Sequence, residues 1–198
     1  MKKQVILLLL LLCISVNSYS QIERVNVGDY VYMRVIDNNF TAHSVSYRDL
    51  GGMHACIDES SHVKIRPSLY YSLEKTKRGI QKRWFLKFNL HSFKRDAFSL
   101  KNGDNLLLKL FDDSIITLIT SKVDISSDEY GTFLYFEAKL TDTELNKISS
   151  IGVKKLRIET IPYVCDAVYD NDEIGTFVIN AKKIIEDMSN PTTTKKPF

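Results

Sequence analysis

Residues 140–153, LTDTELNKISSIGV, carry both the start signal and the stop signal of one helix. Thr141 and Glu144 have the spacing of a capping box, in which the hydroxyl accepts from the Glu144 amide and the carboxylate accepts from the Thr141 amide. Gly152 lies where the chain must turn left-handed to end the helix, and Val153 can contact Ile148 as in a Schellman ending. The segment therefore predicts a short, well-delimited helix of about ten residues.

Alternating apolar residues on both sides of that helix predict strands. Thr132–Leu140 precedes the helix and Lys155–Thr160 follows it, each with apolar residues at every second position. Upstream, the apolar runs Asn105–Phe111 and Ile115–Thr120 are split by a short turn and predict a hairpin. A helix between strands, beside a hairpin, is typical of an α+β fold.

The first half of the chain is predicted to be rich in strands. The expected strands are Tyr30–Ile36, Phe40–Tyr47, Met53–Asp58, His62–Arg66 and Trp84–Leu90. Pro67 is expected to end the fourth of them. In the fifth, strict alternation places Trp84 towards the core, so we interpret it as a packing residue and not as an exposed surface for a sugar.

A last amphipathic helix is predicted near the C-terminus. Its apolar face consists of Phe177, Ala181, Ile184, Ile185 and Met188. We therefore expect an α+β domain with a mostly antiparallel β-sheet or small sandwich, a short capped helix and a C-terminal helix.

The N-terminal segment predicts export. MKKQVILLLLLLCISVNSYSQ begins with Lys2 and Lys3, continues with an apolar stretch of about twelve residues, and ends with the small-x-small sequence Ser18-Tyr19-Ser20. Because the apolar stretch is short for a membrane span, we interpret residues 1–20 as a signal peptide. A buried helix, a membrane anchor, and a lipoprotein cleaved before Cys13 are the alternatives.

Removal of that leader leaves a nearly neutral chain. The full chain has a formal charge of +3, of which the two leader lysines supply two units, so the remainder is close to +1. We expect residues 21–189 to form a single domain and the polar, Pro-containing residues 190–198 to be a disordered tail. No later segment is long and apolar enough to span a membrane. The predicted location is the periplasm or the extracellular space, and near-neutrality makes nucleic acid an unfavoured partner.

Two cysteines follow the leader, Cys56 and Cys165. Thiols pair in an oxidising compartment, and a bridge that closes a loop of about 110 residues would stabilise the chain by roughly 4–5 kcal/mol. We therefore predict a Cys56–Cys165 disulfide, with two separately buried thiols as the alternative. Cys56 lies in MHACIDESSH, residues 53–62, which also holds imidazoles and carboxylates. No CxxC or HxxxH pair supports a metal site there, so neither a metal nor a cofactor is predicted.

The most basic run in the chain contains one acid, Glu74, and five cations, Lys75, Lys77, Arg78, Lys82 and Arg83. Such a cluster attracts phosphate or lipid head groups, and these five residues form the candidate anion contact. An exposed, solvated loop is the favoured interpretation, because no nucleic-acid-binding motif accompanies the run and the net charge is close to zero.

Residues 163–175 are acidic and carry part of a calcium-loop pattern. The pattern fails at Ile174, where an oxygen ligand is needed, and at Ala181, where the bidentate glutamate should fall. An EF-hand is therefore excluded. A solvated loop is favoured over a looser calcium site built from Asp166, Asp170, Asp172 and Glu173.

Parts of the sequence resemble exported Bacteroidetes proteins. The leader ending in SYS before Gln21 resembles theirs, and the pattern from KNGDNLLLKLFDDSIITLIT to LTDTELNKISSIGVKKLRIET is similar to small secreted or periplasmic proteins of that group, most of them uncharacterised. The resemblance covers mainly residues 84–160, and its motifs are structural. It implies an exported location and this architecture, and it supplies no catalytic residues.

Two classes of function follow from these patterns. A non-catalytic binding or scaffold protein for a protein, glycan or lipid of the cell envelope is favoured, because no GxSxG, HExxH or cysteine–histidine signature is present. The alternative is a cell-envelope hydrolase whose groups meet only in space, with a general base among His43, His54, His62 and His91.

Overall fold

The computed structural model describes residues 20–48, 53–58, 61–93, 98–159, 164–168 and 173–189, and for 53–58, 61–62, 164–165 and 167–168 it describes the backbone alone. The predicted signal peptide, apart from Ser20, and the predicted tail lie outside these ranges. The strands are β1 (Gln21–Val27), β2 (Tyr30–Asp37), β3 (Phe40–Tyr47), β4 (Met53–Asp58), β5 (Ser61–Thr76), β6 (Gly79–Ser92), β7 (Asn105–Leu110), β8 (Ile115–Asp128), β9 (Gly131–Leu140), β10 (Val153–Glu159) and β11 (Val164–Val168). The helices are α1 (Asp142–Ile151) and α2 (Glu173–Ser189).

All eleven strands belong to one sheet with the order β1-β2-β3-β5-β4-β11-β10-β7-β8-β9-β6. Every pairing is antiparallel. The last strand in this order, β6, also pairs with β5. The eight strands from β5 to β6 therefore form a closed cycle of pairings, and β3, β2 and β1 extend it on one side. The predicted class, α+β with a mostly antiparallel sheet, is confirmed.

Side chains alternate between two faces of this sheet, as strand geometry requires. The inner face holds the apolar core, and both helices pack against that core. Trp84 packs against it as predicted. The core residues of the central strands are Leu86, Phe88 and Leu90 of β6, Leu106, Leu108 and Leu110 of β7, and Leu134, Phe136, Ala138 and Leu140 of β9. The opposite side, which we call the outer face, carries most of the polar side chains of these strands.

The capped helix forms where its sequence predicts it. The Thr141 amide donates to Glu144 Oε2 at 2.7 Å, and the Glu144 amide donates to Thr141 Oγ1 at 3.2 Å, which confirms the capping box. Gly152 has the expected positive φ, 82°, and its amide donates to Ile148 O at 3.1 Å. Its ψ of 166° lies outside the left-handed helical region, so the predicted left-handed conformation is wrong and the chain passes directly from α1 into β10.

The C-terminal helix α2 also forms, with Phe177, Ala181 and Ile185 buried and Ile184 and Met188 packed at the border of the core. It lies against β2, β3, β5, β10 and α1. Among the described residues, no helix has the length and apolarity needed to cross a bilayer.

Two predictions about the middle of the chain are wrong. Pro67 does not end a strand, because β5 continues to Thr76. On one side, β5 pairs with β4 up to Ile65 and with β3 only from Ser68, so Pro67 lies in the gap between partners, where its missing N–H breaks no described pairing. The basic run is not a loop, because it forms the end of the β5–β6 hairpin.

Candidate binding face on the outer side of the sheet

Aromatic side chains lie side by side on the outer face of β5, β6 and β9. Tyr70 pairs with Phe85, and His91 pairs with Phe133, and directly opposite residues share a face. Tyr135 belongs to the same face through its pairing with the exposed Asn89. All five rings are partly exposed. We call this surface the outer aromatic face, made of Tyr70, Phe85, His91, Phe133 and Tyr135.

The rings of this face hold one another in position. Tyr70 meets Phe85 edge-on with 5.9 Å between ring centroids, an arrangement that aromatic quadrupoles favour. His91 lies almost parallel to Phe133, at 4.4 Å and 7°. The Nε2 atom of His91 is 3.3 Å from the Tyr130 carbonyl oxygen. The face therefore presents a fixed arrangement of rings.

Cations lie between these rings. Lys64 pairs with His91, and Arg66 pairs with Asn89, so both belong to the outer face of β5. Lys139 pairs with Phe85 and is exposed. Together with Lys87, these residues surround the aromatic rings with positive charge.

Glu137 is the buried acid of this face. Its exposure is 2%, and it lies between two ammonium groups, with Lys122 Nζ 2.9 Å from Oε1 and Lys87 Nζ 3.4 Å from Oε2. Both carboxylate oxygens are therefore buried against ammonium groups. A glutamate is almost never this deeply buried unless it is paired.

Lys87 connects this acid to the aromatic rings. Its Nζ lies 3.7 Å from the centroid of the Tyr70 ring, which is cation–π geometry. Burial lowers the pKa of Lys87, and the Glu137 carboxylate opposes that shift. Burial and then the same carboxylate raise the pKa of both Tyr70 and Tyr135. All three groups therefore share the field of one carboxylate.

An irregularity in β8 places Lys122 over Glu137. The pairing of β8 with β9 shifts between Ser121 and Asp124, and Lys122 adopts a positive φ of 49° there. The Val123 amide donates to Asn102 Oδ1 at 2.9 Å, which holds the bulged segment. Bulges of this kind redirect a side chain, and here the redirected side chain reaches the buried carboxylate.

The predicted anion contact forms a second basic region, the hairpin tip, which we define as residues 74–83. A turn at Thr76–Gly79 joins the two strands, with Thr76 Oγ1 donating to the Gly79 carbonyl at 2.9 Å. The four exposed cations are Lys75, Lys77, Arg78 and Lys82. Arg83 lies at the base of the tip, with Nη2 3.4 Å from Glu74 Oε2 and a contact to Gln81. The structure thus brings all five predicted residues together.

A third basic region surrounds a depression of about 250 Å³ on the outer face of β7, β8 and β10. Leu107 and Ile115 form its apolar floor. Its cations already have acidic partners, since Arg157 donates to both Asp166 oxygens at 2.8 and 2.9 Å and Lys155 Nζ lies 2.7 Å from Asp166 Oδ2. A ligand would have to compete with that carboxylate.

The same contacts bear on the looser calcium site. The Arg157 guanidinium, hydrogen-bonded to Asp166, lowers the pKa of that carboxyl, and burial opposes the shift. Asp166 is therefore an anion engaged with two cations. Asp170 and Asp172 lie outside the described residues, and no cluster of metal-ligating side chains occurs within the residues that are described.

The histidines with described side chains lie in aromatic surroundings. His43 is 2% exposed, with Nδ1 2.7 Å from the Tyr32 hydroxyl and 3.4 Å from Ser189 Oγ. Burial, and then the Arg34 charge, lowers the pKa of His43 to about 4. His91 stacks on Phe133 and meets Phe93 edge-on. No carboxylate contact to either ring occurs within the described part of the chain, so neither has the partner that orients a general base.

The predicted disulfide connects neighbouring strands. Cys56 of β4 pairs with Asp166 of β11, one residue away from Cys165. The two cysteines are thus adjacent along the sheet but not directly opposite, and β4 has a register shift between Cys56 and Asp58. Their side chains lie outside the described atoms. The bridge stays a prediction that a thiol count on the unreduced protein tests.

No protein-family model, curated protein or solved structure matches this chain. The resemblance to exported Bacteroidetes proteins is therefore not tested by these comparisons.

Sequence reasoning missed the outer aromatic face and Glu137. Alternation in residues 84–91 separates the two faces of β6 correctly, but attention to the apolar set left Phe85, Lys87 and His91 without a role. A usable signal was present, because two neighbouring strands place aromatic residues at positions that alternation assigns to solvent. An acid in the middle of the aromatic strand GTFLYFEAKL was a second signal.

Proposed function

We propose that this chain is an exported, non-catalytic binding protein whose outer aromatic face holds an acidic glycan of the cell envelope. The observation that carries the proposal is the alternation of partly exposed rings with cations on one solvent-facing surface. Aromatic faces accept the apolar faces of sugar rings, and lysine and arginine accept carboxylate or phosphate groups. The predicted leader supports an envelope ligand.

Glu137 fits the same proposal. Most carboxylates on a basic surface would repel an acidic ligand, but this one is buried under two lysines and its charge is already countered. It fixes the Lys87 ammonium beside Tyr70 and draws Lys122 to the edge of the face. Positioned cations of this kind lower the conformational entropy that a ligand would otherwise have to remove.

The hydrolase alternative gains no support from the described residues. His43 is held neutral in the protein interior beneath α2, where a substrate would have to displace its contacts. His91 is partly exposed, but within the described part of the chain it has no carboxylate contact that would orient it as a general base. Binding at the outer aromatic face needs no such rearrangement.

Binding of an acidic polysaccharide to the full chain tests the proposal. Polygalacturonate is the probe, and uncharged dextran and single-stranded DNA are the comparisons. The Phe85→Ala and Lys139→Glu variants should each weaken polygalacturonate binding by about fivefold to thirtyfold, which corresponds to the loss of an interface anchor worth roughly 1–2 kcal/mol. Lys183→Glu, which changes an exposed lysine of α2 by the same charge, is the matched control.

The proposal fails if Phe85→Ala and Lys139→Glu bind as the parent protein does. It also fails if all three variants lose binding equally, because net charge alone would then explain the affinity. Tighter binding of single-stranded DNA than of polygalacturonate would indicate that the outer aromatic face binds nucleic acid instead of a glycan. Aromatic rings can stack on bases, and cations can bind phosphates.

A further inference from the structure

The hairpin tip extends beyond the strands that flank it. The pairing of β3 with β5 ends at Phe40 with Glu74, and the pairing of β9 with β6 begins only at Trp84 with Leu140. Residues 79–83 therefore pair with β5 on one side and with no described strand on the other side. Gly79 closes the turn with a φ of 117°, a conformation that glycine adopts readily.

Positive charge is concentrated at this tip. Its five cations and one acid give a net charge of +4, whereas the whole chain has +3, which leaves the rest slightly negative. Arg83 is offset by Glu74. Within the described part of the chain, no ion pair is formed by the other four cations, unlike the cations beside Asp166. Four exposed cations without an ion pair among the described residues thus lie together at the end of one hairpin.

An apolar side chain accompanies this charge. Ile80 follows the turn and is 62% exposed. The tip is braced at its base, since the Lys75 amide donates to the Asn39 carbonyl at 2.8 Å. An exposed apolar residue among cations suits the interface of an anionic membrane, where burial of apolar surface and attraction to anionic lipids both favour binding.

We propose that the hairpin tip docks on an anionic bilayer surface. Lys75, Lys77, Arg78 and Lys82 approach the lipid phosphates, and Ile80 enters the boundary between head groups and acyl chains. Each cation near an anionic membrane strengthens binding by roughly fivefold, so four of them suffice for measurable adsorption at low salt. A bilayer suits the tip better than a free phosphate ion, because a small ion offers nothing to Ile80.

The docking surface is separate from the outer aromatic face, so the two proposals fail independently. The experiment uses the full chain with two kinds of vesicle, phosphatidylcholine alone and phosphatidylcholine mixed with phosphatidylglycerol. Sedimentation should show binding to the mixed vesicles only, and binding should fall with added salt because surface charge is screened.

Three variants locate the effect. Lys77→Glu with Arg78→Glu should weaken binding to the mixed vesicles by at least tenfold. Ile80→Ser should weaken it by a smaller factor while leaving the salt dependence unchanged, because it removes only an apolar contact. Lys147→Glu with Lys183→Glu changes the net charge equally at exposed sites on the two helices and should bind as the parent protein does.

Several outcomes would overturn the docking proposal. Equal losses in the two double variants would show that the tip has no special role. Unchanged binding in the tip variant, or binding to neutral vesicles of equal strength, would exclude an electrostatic contact there. Absence of vesicle binding, with retained polygalacturonate binding, would refute the docking proposal and leave the proposed function standing. Circular dichroism and an unchanged melting temperature confirm that each variant is folded.

Discussion

The two faces of the sheet bury ionisable groups in opposite ways. On the inner face, His43 is 2% exposed and burial lowers its pKa to about 4, so it remains neutral at ordinary pH with one short contact to the Tyr32 hydroxyl. On the outer face, Glu137 is equally buried at 2% but lies between the ammonium groups of Lys87 and Lys122. One group is accommodated by losing its charge and the other by pairing it.

These two solutions make different demands on the fold. A neutral imidazole needs only a hydrogen-bond partner, which β2 supplies from an adjacent strand position. A buried carboxylate needs opposite charges placed around it, and here that requires a bulge in β8 and a positive φ at Lys122. An apolar residue in place of Glu137 would need neither feature. We propose that this additional structure serves the binding role of the outer aromatic face.

Among single substitutions at neutral pH, loss of the Glu137 carboxylate should have the largest effect on stability. Glu137→Leu leaves two ammonium groups facing each other, one of them on the partly buried Lys87. We expect the free energy of unfolding to fall by about 2–3 kcal/mol, below the loss for a fully buried pair because Lys122 is largely exposed. Urea unfolding followed by circular dichroism measures the change.

A second substitution separates lost charge from lost packing. Lys87→Met combined with Glu137→Leu removes the unpaired ammonium, and most of the lost stability should return, because apolar replacements of buried ion pairs are often neutral or stabilising. If the double variant is no more stable than Glu137→Leu, the unpaired Lys87 ammonium is not the cause of the lost stability.

Acid should destabilise the inner face through His43. The folded-state pKa of about 4 lies below the ordinary value of 6.5, so the unfolded chain binds the proton more tightly. The stability that neutral His43 contributes is therefore complete above pH 6.5 and is lost as the pH falls towards 4. The loss attributable to this residue should reach up to about 3 kcal/mol.

The matching measurement compares the parent protein with His43→Phe between pH 4 and 8. The variant should lose less stability than the parent over the acidic part of that range, and the difference between the two curves isolates the contribution of His43. Parallel curves would mean that the pKa of His43 is the same in the folded and the unfolded chain, so that its burial does not make stability depend on pH.

Local patterns in the sequence predict many elements of this fold, but they miss β1, and the loop expected over residues 163–175 is wrong where β11 and the start of α2 form. The capping box at Thr141 and Glu144 and the positive φ at Gly152 concern neighbouring residues, so the sequence contains the whole signal. The same holds for alternation in Trp84–Leu90, whose inner residues are buried as expected. Residue alternation and helix capping depend on neighbouring residues alone, so they can be predicted from the sequence.

Lateral pairing is where such reasoning fails. A proline ends a strand only where the neighbouring strand needs the N–H group that proline lacks. Nothing in the local sequence shows that β5 changes partners at Pro67. The environment of Glu137 depends on β6 and β8 lying on either side of β9, and on a bulge in β8. The candidate binding face depends on the order of strands in the sheet, and local sequence patterns do not predict that order.

Substitution at Lys122 should have the smallest effect on stability, and it tests directly whether the bulge on the outer face is strained. Lys122→Gly removes an ion pair from a side chain that is 71% exposed, a loss of roughly 0.2–1 kcal/mol, and relieves a positive φ worth a similar amount. The variant should therefore be about as stable as the parent protein. Lys122→Ala loses the ion pair without gaining backbone freedom, so its unfolding free energy should lie below that of the glycine variant. Equal stabilities of the two variants would mean that the bulge imposes no strain at this position. In that case the positive φ at Lys122 would not lower the stability of the protein, and the ammonium would be placed over Glu137 without backbone strain.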